Sequence, residues 1–520
     1  MRILMVASEN DALPRGKVGG IGDVIRDIPK FLVKQGMQVD VITPGYQYHA
    51  FNNPSKHLHT LYVPFRESIE AVDLYQLTEV GDNNVRHFVL ESKLFCTDTP
   101  GKIYHDDGHD KPFYSDANKF ALFCAATCEL LIDAWHEQYD VLHLHDWHSA
   151  LVAILSHYEP RYQSIKDIRS VYSIHNLAIQ GIRPLHATQS SLHSWFPTLS
   201  YDSELIADPR YIDCLNPTRA AINLVDSVHV VSPTYRQEVM LASDPSRGFI
   251  GGEGLEADLQ NAAAQNRLVG ILNGCDYDST FPEPVSSKEL ITLILQRLQR
   301  LHGSDEYVKA AHYLAEQRCQ DWQTQKTTGP LVISVGRLTG QKVQLLFEPG
   351  HQGIIIDDVL KLLAKFGGRM IVLGSGDSQL EQRMTQVMQR HNNLLFINGF
   401  CAGLAEHLYV NGDVFFMPSS FEPCGISQMQ AMRAGMPVIA HQIGGLNDTI
   451  THLDTGFLFS GNSIIEQTDD LLTQVELALQ MFKNSPADFA KMCKHAKAQR
   501  FYWDACIKQY ISELYQIQAS

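Results

Sequence analysis

In the second half of this chain, two cations and a carboxylate each follow directly on a short apolar run. "PLVISVG" leads into "RLTGQK", with Arg337 and Lys342. "DVFFMPS" leads into "SFEPCGISQMQ", with Glu422 ahead of a Pro-Cys-Gly turn and a helical pattern from near Ile426. Glycine N–H groups and a helix N-terminus beside two cations suit a diphosphate. A carboxylate in the same place accepts hydrogen bonds from vicinal hydroxyls. Taken alone, Arg337 and Lys342 read equally well as surface charges. The first half offers "HLHDWHSA" and "SIHNLAIQG", again directly after apolar runs. His145, Asp146, Trp147 and His148 present an aromatic face with polar tips, a combination that suits a sugar, although Asp146 also fits a helix N-cap. His143, His145 and His148 alternate without a fixed fourth ligand, which favours packing or hydrogen bonding over zinc. Near the start, "KVGGIGDV" places Lys17, Gly19 and Gly20 between an apolar run and a helical pattern. Two readings stay open there: backbone that approaches a phosphate, or a tight turn with an exposed lysine. "GSGDSQLEQRM" reads as a strand-to-helix turn rather than a phosphate loop.

These residues need elements to hold them. "RILMVA" has the look of a buried parallel strand, and Ile21, Val24, Ile25, Ile28, Phe31 and Leu32 share one helical face. Pro29 predicts a kink in that helix and Gly36 its end. Short apolar runs then alternate with helical patterns, a charged, Gln-rich helical tract spans about 285–328, and a second strand series follows. The fold class is therefore α/β, with two doubly wound, Rossmann-like domains facing across a cleft and ligands beyond the carboxyl ends of the strands. At 520 residues, 44% hydrophobic and 19% charged, the chain has the composition of a soluble globular protein of at least two domains. Its net charge of −16 excludes nucleic acid and anionic membrane surfaces as partners and makes local cations necessary for any anionic ligand. No apolar run is long enough to span a membrane, and the first residues do not form a signal peptide. Ten cysteines without a CxxC pair suit reduced thiols and a cytoplasmic location.

Taken in order, "KVGGIGDV", "HLHDWH", "SIHNLAIQG", "VSPTY", "ILNGCD", "GRLTGQK", "FEPCGISQ" and "GGLNDT" resemble the bacterial glycogen and plant starch synthases over nearly the whole chain. The resemblance implies the GT-B arrangement, with residues 1–275 as the acceptor-side domain, 276–500 as the nucleotide-sugar domain and a helix in 501–520 crossing back to the first. It implies ADP-glucose as donor, an α-1,4-glucan such as glycogen as acceptor, and retention of configuration. Lys17, Gly19 and Gly20 would face the diphosphate from one domain. Arg337, Lys342 and the N–H groups of Gly425, Ile426 and Ser427 would face it from the other. His175 and Asn176 would contact the transferred glucose, Glu422 would hold its hydroxyls with backbone at Cys424 and Gly425, and Asp146 and His145 would line the same pocket. Backbone near Gly399 and Phe400 would lie against the adenine. Fixed cations and helix dipoles meet the charge that grows on the leaving diphosphate, so neither a metal nor a cofactor is required.

The sequence departs from that pattern at several places. Gly336 and Val343 replace the usual serine and glycine, two extra residues stand between Glu9 and Lys17, and Arg219 replaces a lysine. Gln430 stands where synthases carry tyrosine, near the expected ribose. These changes keep two alternatives in view: a retaining transferase using another nucleotide sugar such as UDP-glucose or a small acceptor, and an inactive glucan- or nucleotide-binding regulator.

Overall fold

The computed structural model describes residues 1–81, 84–108, 110–135, 138–278, 280–304, 309–325, 327–399 and 401–516. Phe400 lies outside them. The chain divides into two compact units. The first comprises Met1–Ser243, Ile250–Gly274 and the segment from Trp503 onward; the second comprises Asp244–Phe249 and Cys275–Tyr502. The division thus falls one residue earlier than the sequence reading placed it, Asp244–Phe249 count with the second unit, and the returning segment begins at Trp503, two residues later than expected. The reason for the second difference is local: Gln467 donates to the carbonyl of Arg247 at 2.8 Å.

The first unit is built on a nine-stranded sheet. Its order is Leu268–Gly270, Ser227–Val230, Arg169–Ile174, Val141–His145, Arg2–Val6, Gln38–Pro44, Val85–Glu91, Ser68–Leu77 and Ser55–Phe65. The first seven are parallel and the last two form an antiparallel hairpin. The helix Gly20–Lys34 buries Ile21, Val24, Ile25, Ile28, Phe31 and Leu32 against that sheet. Each such side chain contributes about 1.5–3 kcal/mol by leaving water. The helix runs on through Pro29, whose missing N–H costs one intrahelical bond within an otherwise continuous element. Gly36 follows the end of the helix with φ 82°. The last described residues return here: Trp503, Ile507, Tyr510 and Leu514 pack with the same helix face.

In the second unit, six parallel strands run Leu394–Asn398, Arg369–Gly374, Leu331–Val335, Val414–Met417, Val438–His441 and Gly456–Phe459. Alternate residues of Leu331–Val335 enter two separate cores, Val332 on one face and Ile333 and Val335 on the other. The Gln-rich tract forms the helices Ser287–Ser304 and Ala310–Thr324, which cover the second face with Leu290, Ile294, Leu298, Cys319 and Trp322.

Strand order identifies where each sheet opens. In the first, the connection leaves Arg2–Val6 toward Gln38–Pro44 and later returns to its other side at Val141–His145. In the second, the same reversal separates Leu331–Val335 from Val414–Met417. Loops leaving the carboxyl ends of two strands that diverge this way form a natural crevice.

Candidate active site

In the first unit, the loop after Arg2–Val6 is organised by Glu9, which is 2% exposed. One of its carboxylate oxygens accepts from the N–H groups of Val18 and Gly19 at 2.8 and 2.7 Å; the other accepts from the Tyr104 hydroxyl at 2.8 Å. A carboxylate therefore already sits at the start of the helix Gly20–Lys34, where the dipole favours negative charge. Lys17 donates to Asp23 at 2.5 Å and lies 3.8 Å from Asp11. Gly20 is exposed, and a Cβ there would meet nothing within 4 Å.

Asp146 follows the strand Val141–His145 with φ 53° and ψ 179°, a conformation that strains any residue with a Cβ by about 1–3 kcal/mol. It occupies the N-cap position of the helix Trp147–Tyr158, yet its side chain makes no cap bond there. Instead the carboxylate reaches across to the neighbouring strand end. It accepts from the N–H of His175 at 2.6 Å and from that of Asn176. Burial pushes its pKa up to about 7, against the opposing pull of those two N–H groups. His145 is fully buried. Its Nδ1 lies 3.0 Å from His175 Nε2. Burial, with the charge of His229, holds His175 down to about 3. Asn273 is 4% exposed, and its side-chain oxygen has no partner among the described residues.

The second unit assembles its cluster from the two diverging strands. The N–H groups of Ser420 and Phe421 donate to the Gln341 carbonyl at 2.9 and 3.3 Å, which ties the two loops together. Across this tie Lys342 donates to the buried carboxylate of Glu422, which also accepts from Ser419 at 3.2 Å. Arg337 is exposed and makes no hydrogen bond or ion pair among the described residues. Gly425 has φ +77°, and a Cβ there would lie 2.4 Å from Gln428, so the turn into the helix Ser427–Ala434 requires glycine. The N–H groups of Gly425, Ile426 and Ser427 find no acceptor among the described residues. Cys424 is buried beside them, and the N–H of Gly445 donates to the Glu422 carbonyl at 3.1 Å.

The remaining sequence candidates sort themselves by geometry. Gly399 donates to the Gly374 carbonyl at 3.1 Å at the end of the strand Leu394–Asn398. The glycine cluster at 374–376 is a strand-to-helix turn: Asp377 caps the helix Ser378–Arg390 and Glu381 accepts from the Gly376 N–H at 2.8 Å. Gly336 is exposed, and a Cβ there meets nothing within 4 Å, so the usual serine would fit. Val343 is buried in the core and closes a single helical turn, Gly340–Val343. Glu9 was not anticipated as a site residue, because its role is set by N–H groups nine and ten residues away. Asn273 was likewise not anticipated as a site residue; its place shortly after the strand Leu268–Gly270 was the available signal.

Two doubly wound units, each carrying a polar cluster at its switch point, with cations and free N–H groups on one, define a GT-B glycosyltransferase. Residues 2–261 match the starch synthase catalytic domain, and residues 320–488 match glycosyl transferases group 1. The chain is 30% identical to a glycogen synthase of Paracoccus denitrificans (strain Pd 1222), covering all of both chains. It is 32% identical to one of Streptococcus gordonii over 99% of each. Among solved structures it is similar to the catalytic domain of starch synthase IV from Arabidopsis thaliana bound to ADP and acarbose. That similarity has a TM-score of 0.75 and 25% identity, over 99% of this chain and 98% of that one. The chain belongs to the glycogen and starch synthase family of glucosyltransferases. No helix among its described residues is long and apolar enough to cross a membrane.

Proposed function

We propose that this protein transfers glucose from ADP-glucose to the non-reducing end of an α-1,4-glucan, with retention of configuration. The observation that carries the reading is the second unit's cluster: an exposed, unengaged arginine, a lysine bonded to a buried glutamate, and three N–H groups without acceptors at a helix start. Support for the nucleotide comes from the plant starch synthase with ADP and acarbose bound. Arg337 and Lys342 neutralise the diphosphate, assisted by N–H groups of Gly425, Ile426 and Ser427 and by Lys17 and Gly20; the Gly19 N–H is already held by Glu9. His175 and Asn176 contact the transferred glucose, held by Asp146, and Glu422 accepts from its hydroxyls beside Cys424 and Gly425. Gly399 backs the adenine.

In the transfer, the bond from the glucose anomeric carbon to the diphosphate breaks, and the bond to the acceptor hydroxyl forms on the same face. The acceptor's proton goes to the leaving phosphate oxygen. Negative charge grows on the diphosphate as the sugar becomes oxocarbenium-like, and cations fixed in advance stabilise that change more than they stabilise the ground state. Ten free cysteines accord with a reducing, cytoplasmic setting.

The test is nucleotide release from a panel of nucleotide sugars with glycogen or maltooligosaccharides. ADP-glucose should be used best. UDP-glucose should be poorer by about 10–200-fold in kcat/KM, because a smaller base loses contact in the site. GDP-glucose should be inactive. Faster turnover of UDP-glucose than of ADP-glucose would reassign the donor. Binding of nucleotide and glucan with no turnover of any donor would favour a regulator.

A further inference from the structure

Below the strand ends of the first unit lies a buried hydrogen-bond chain whose proton order is determined by its last member. His229 Nε2 lies 3.3 Å from the Ile271 carbonyl, which only accepts, so Nε2 carries the proton and Nδ1 is the acceptor; the Tyr510 hydroxyl, 3.4 Å from Nδ1 and 3.5 Å from Nε2, can serve either ring nitrogen without changing that order. Ser173 Oγ, 2.8 Å from His229 Nδ1, must then donate to it. Ser173 in turn accepts from His143 Nε2 at 2.7 Å. That leaves His143 Nδ1 to accept from the Tyr515 hydroxyl at 3.0 Å. The His143 ring stacks on His145, with centroids 4.2 Å apart, and His145 meets His175.

The His145–His175 contact has two possible directions. His145 Nε2 is buried without a partner among the described residues. If its proton were on Nε2, a donor would be orphaned in the interior; buried N–H groups without acceptors are rarer than under-used acceptors. With the proton on Nδ1, His145 donates to His175 Nε2, and His175 carries its own proton on Nδ1, on a ring that is partly exposed. We infer that His145 is a positioning residue that sets the tautomer of His175, so that His175 offers an N–H donor, not a lone pair, to a hydroxyl of the transferred sugar. This rests on the functional reading above only in its last clause; the tautomer is a property of the protein itself.

Selective ¹⁵N-histidine labelling reads it directly, with the His175 signals assigned by comparison with His175→Gln. The expected result is one neutral tautomer of His175, protonated at Nδ1, in the unaltered protein and both tautomers in His145→Phe. In parallel, kcat should fall about tenfold or more in His145→Phe, with KM for ADP-glucose within about twofold. His145→Asn, whose amide N–H replaces the Nδ1–H, should recover most of both. His175 protonated at Nε2 in the unaltered protein would overturn the inference. So would a His145→Asn protein that keeps the Nδ1 tautomer yet loses as much kcat as His145→Phe. Should His145→Phe not fold, the unaltered protein and His145→Asn still decide the question. A protein with the Nδ1 tautomer and no transfer from any nucleotide sugar would overturn the functional reading instead.

Discussion

The polar clusters of the two units solve opposite problems. In the first, the central groups are buried and bonded to one another: histidines held toward their neutral form by burial, a carboxyl raised to about 7, and Glu9 engaged on both oxygens. In the second, donors are left partly unengaged among the described residues, with Arg337 exposed and three N–H groups open. A neutral sugar is recognised by direction, through hydrogen bonds whose geometry is fixed in advance. A diphosphate is recognised by charge, which acts at longer range and tolerates some motion. Under the proposed function, the first unit's buried network suits a neutral sugar and the second unit's open cation a diphosphate, with Lys17 and Glu422 each crossing that division.

Breaking the charged half should have the largest effect. Arg337→Ala and Lys342→Ala should each lower kcat by about 10²-fold or more. They should differ in stability. Arg337→Ala removes an exposed side chain with no described partner, so Tm should not move. Lys342→Ala leaves the buried Glu422 without its cation, a loss of about 1–3 kcal/mol that a melting curve will show. Near-normal kcat in both variants would mark these residues as ordinary surface charges.

The neutral half should be broken by pH. Asp146 has a folded pKa of about 7 against the ordinary 3.8. Between those values the folded chain keeps a proton that the unfolded chain has released, so its contribution to stability falls as pH rises through that window. The carboxylate, in contrast, is the better acceptor for the N–H groups of His175 and Asn176. kcat/KM should therefore rise about tenfold between pH 6 and 8, with a midpoint near 7. Asp146→Asn should flatten that limb and should raise Tm more at pH 8 than at pH 5. A profile unchanged in Asp146→Asn would assign the limb to another group.

A smaller effect is expected at Glu9, which organises the first unit's opening loop. Glu9→Ala frees the N–H groups of Val18 and Gly19 and loosens the loop carrying Lys17. KM for the donor should rise about fivefold to tenfold, the effect of one or two hydrogen bonds. An unchanged KM would show that the loop holds its shape without Glu9. The smallest effect should come from chelation. Excess EDTA should leave activity within error, because fixed cations meet the diphosphate charge. A loss restored by Mg²⁺ would add a metal to the second unit's chemistry.

Much of this was legible in the sequence because the clusters lie next to apolar runs. Arg337, Lys342 and Glu422 lie in loops that leave strand ends, so locating the strands placed these candidates. The helix face from Ile21 to Leu32 was equally plain from its spacing. What escaped depends on contacts between distant positions. Ser173 and His229 are 56 residues apart and meet only because their strands pair. The strain at Asp146 has no sequence signature. The strand Ser55–Phe65 was not anticipated: its outer half is largely exposed and it contains Pro64, tolerated at a sheet edge. Pro29 is accommodated inside its helix, which is held by a buried face rather than by every backbone bond.

The return of the chain's last segment to the first unit bears on how the molecule is made. Trp503 and Tyr510 are fully buried there, and Tyr515 closes the chain that orders His143. The second unit's strands and helices all precede that segment. As the polypeptide leaves the ribosome, the second unit has every residue it needs while the first still lacks part of its core. The half translated first is therefore completed last. A nascent chain stalled before residue 503 should hold a protease-resistant second unit beside a first unit that is still open to cleavage, and release of the final residues should close it.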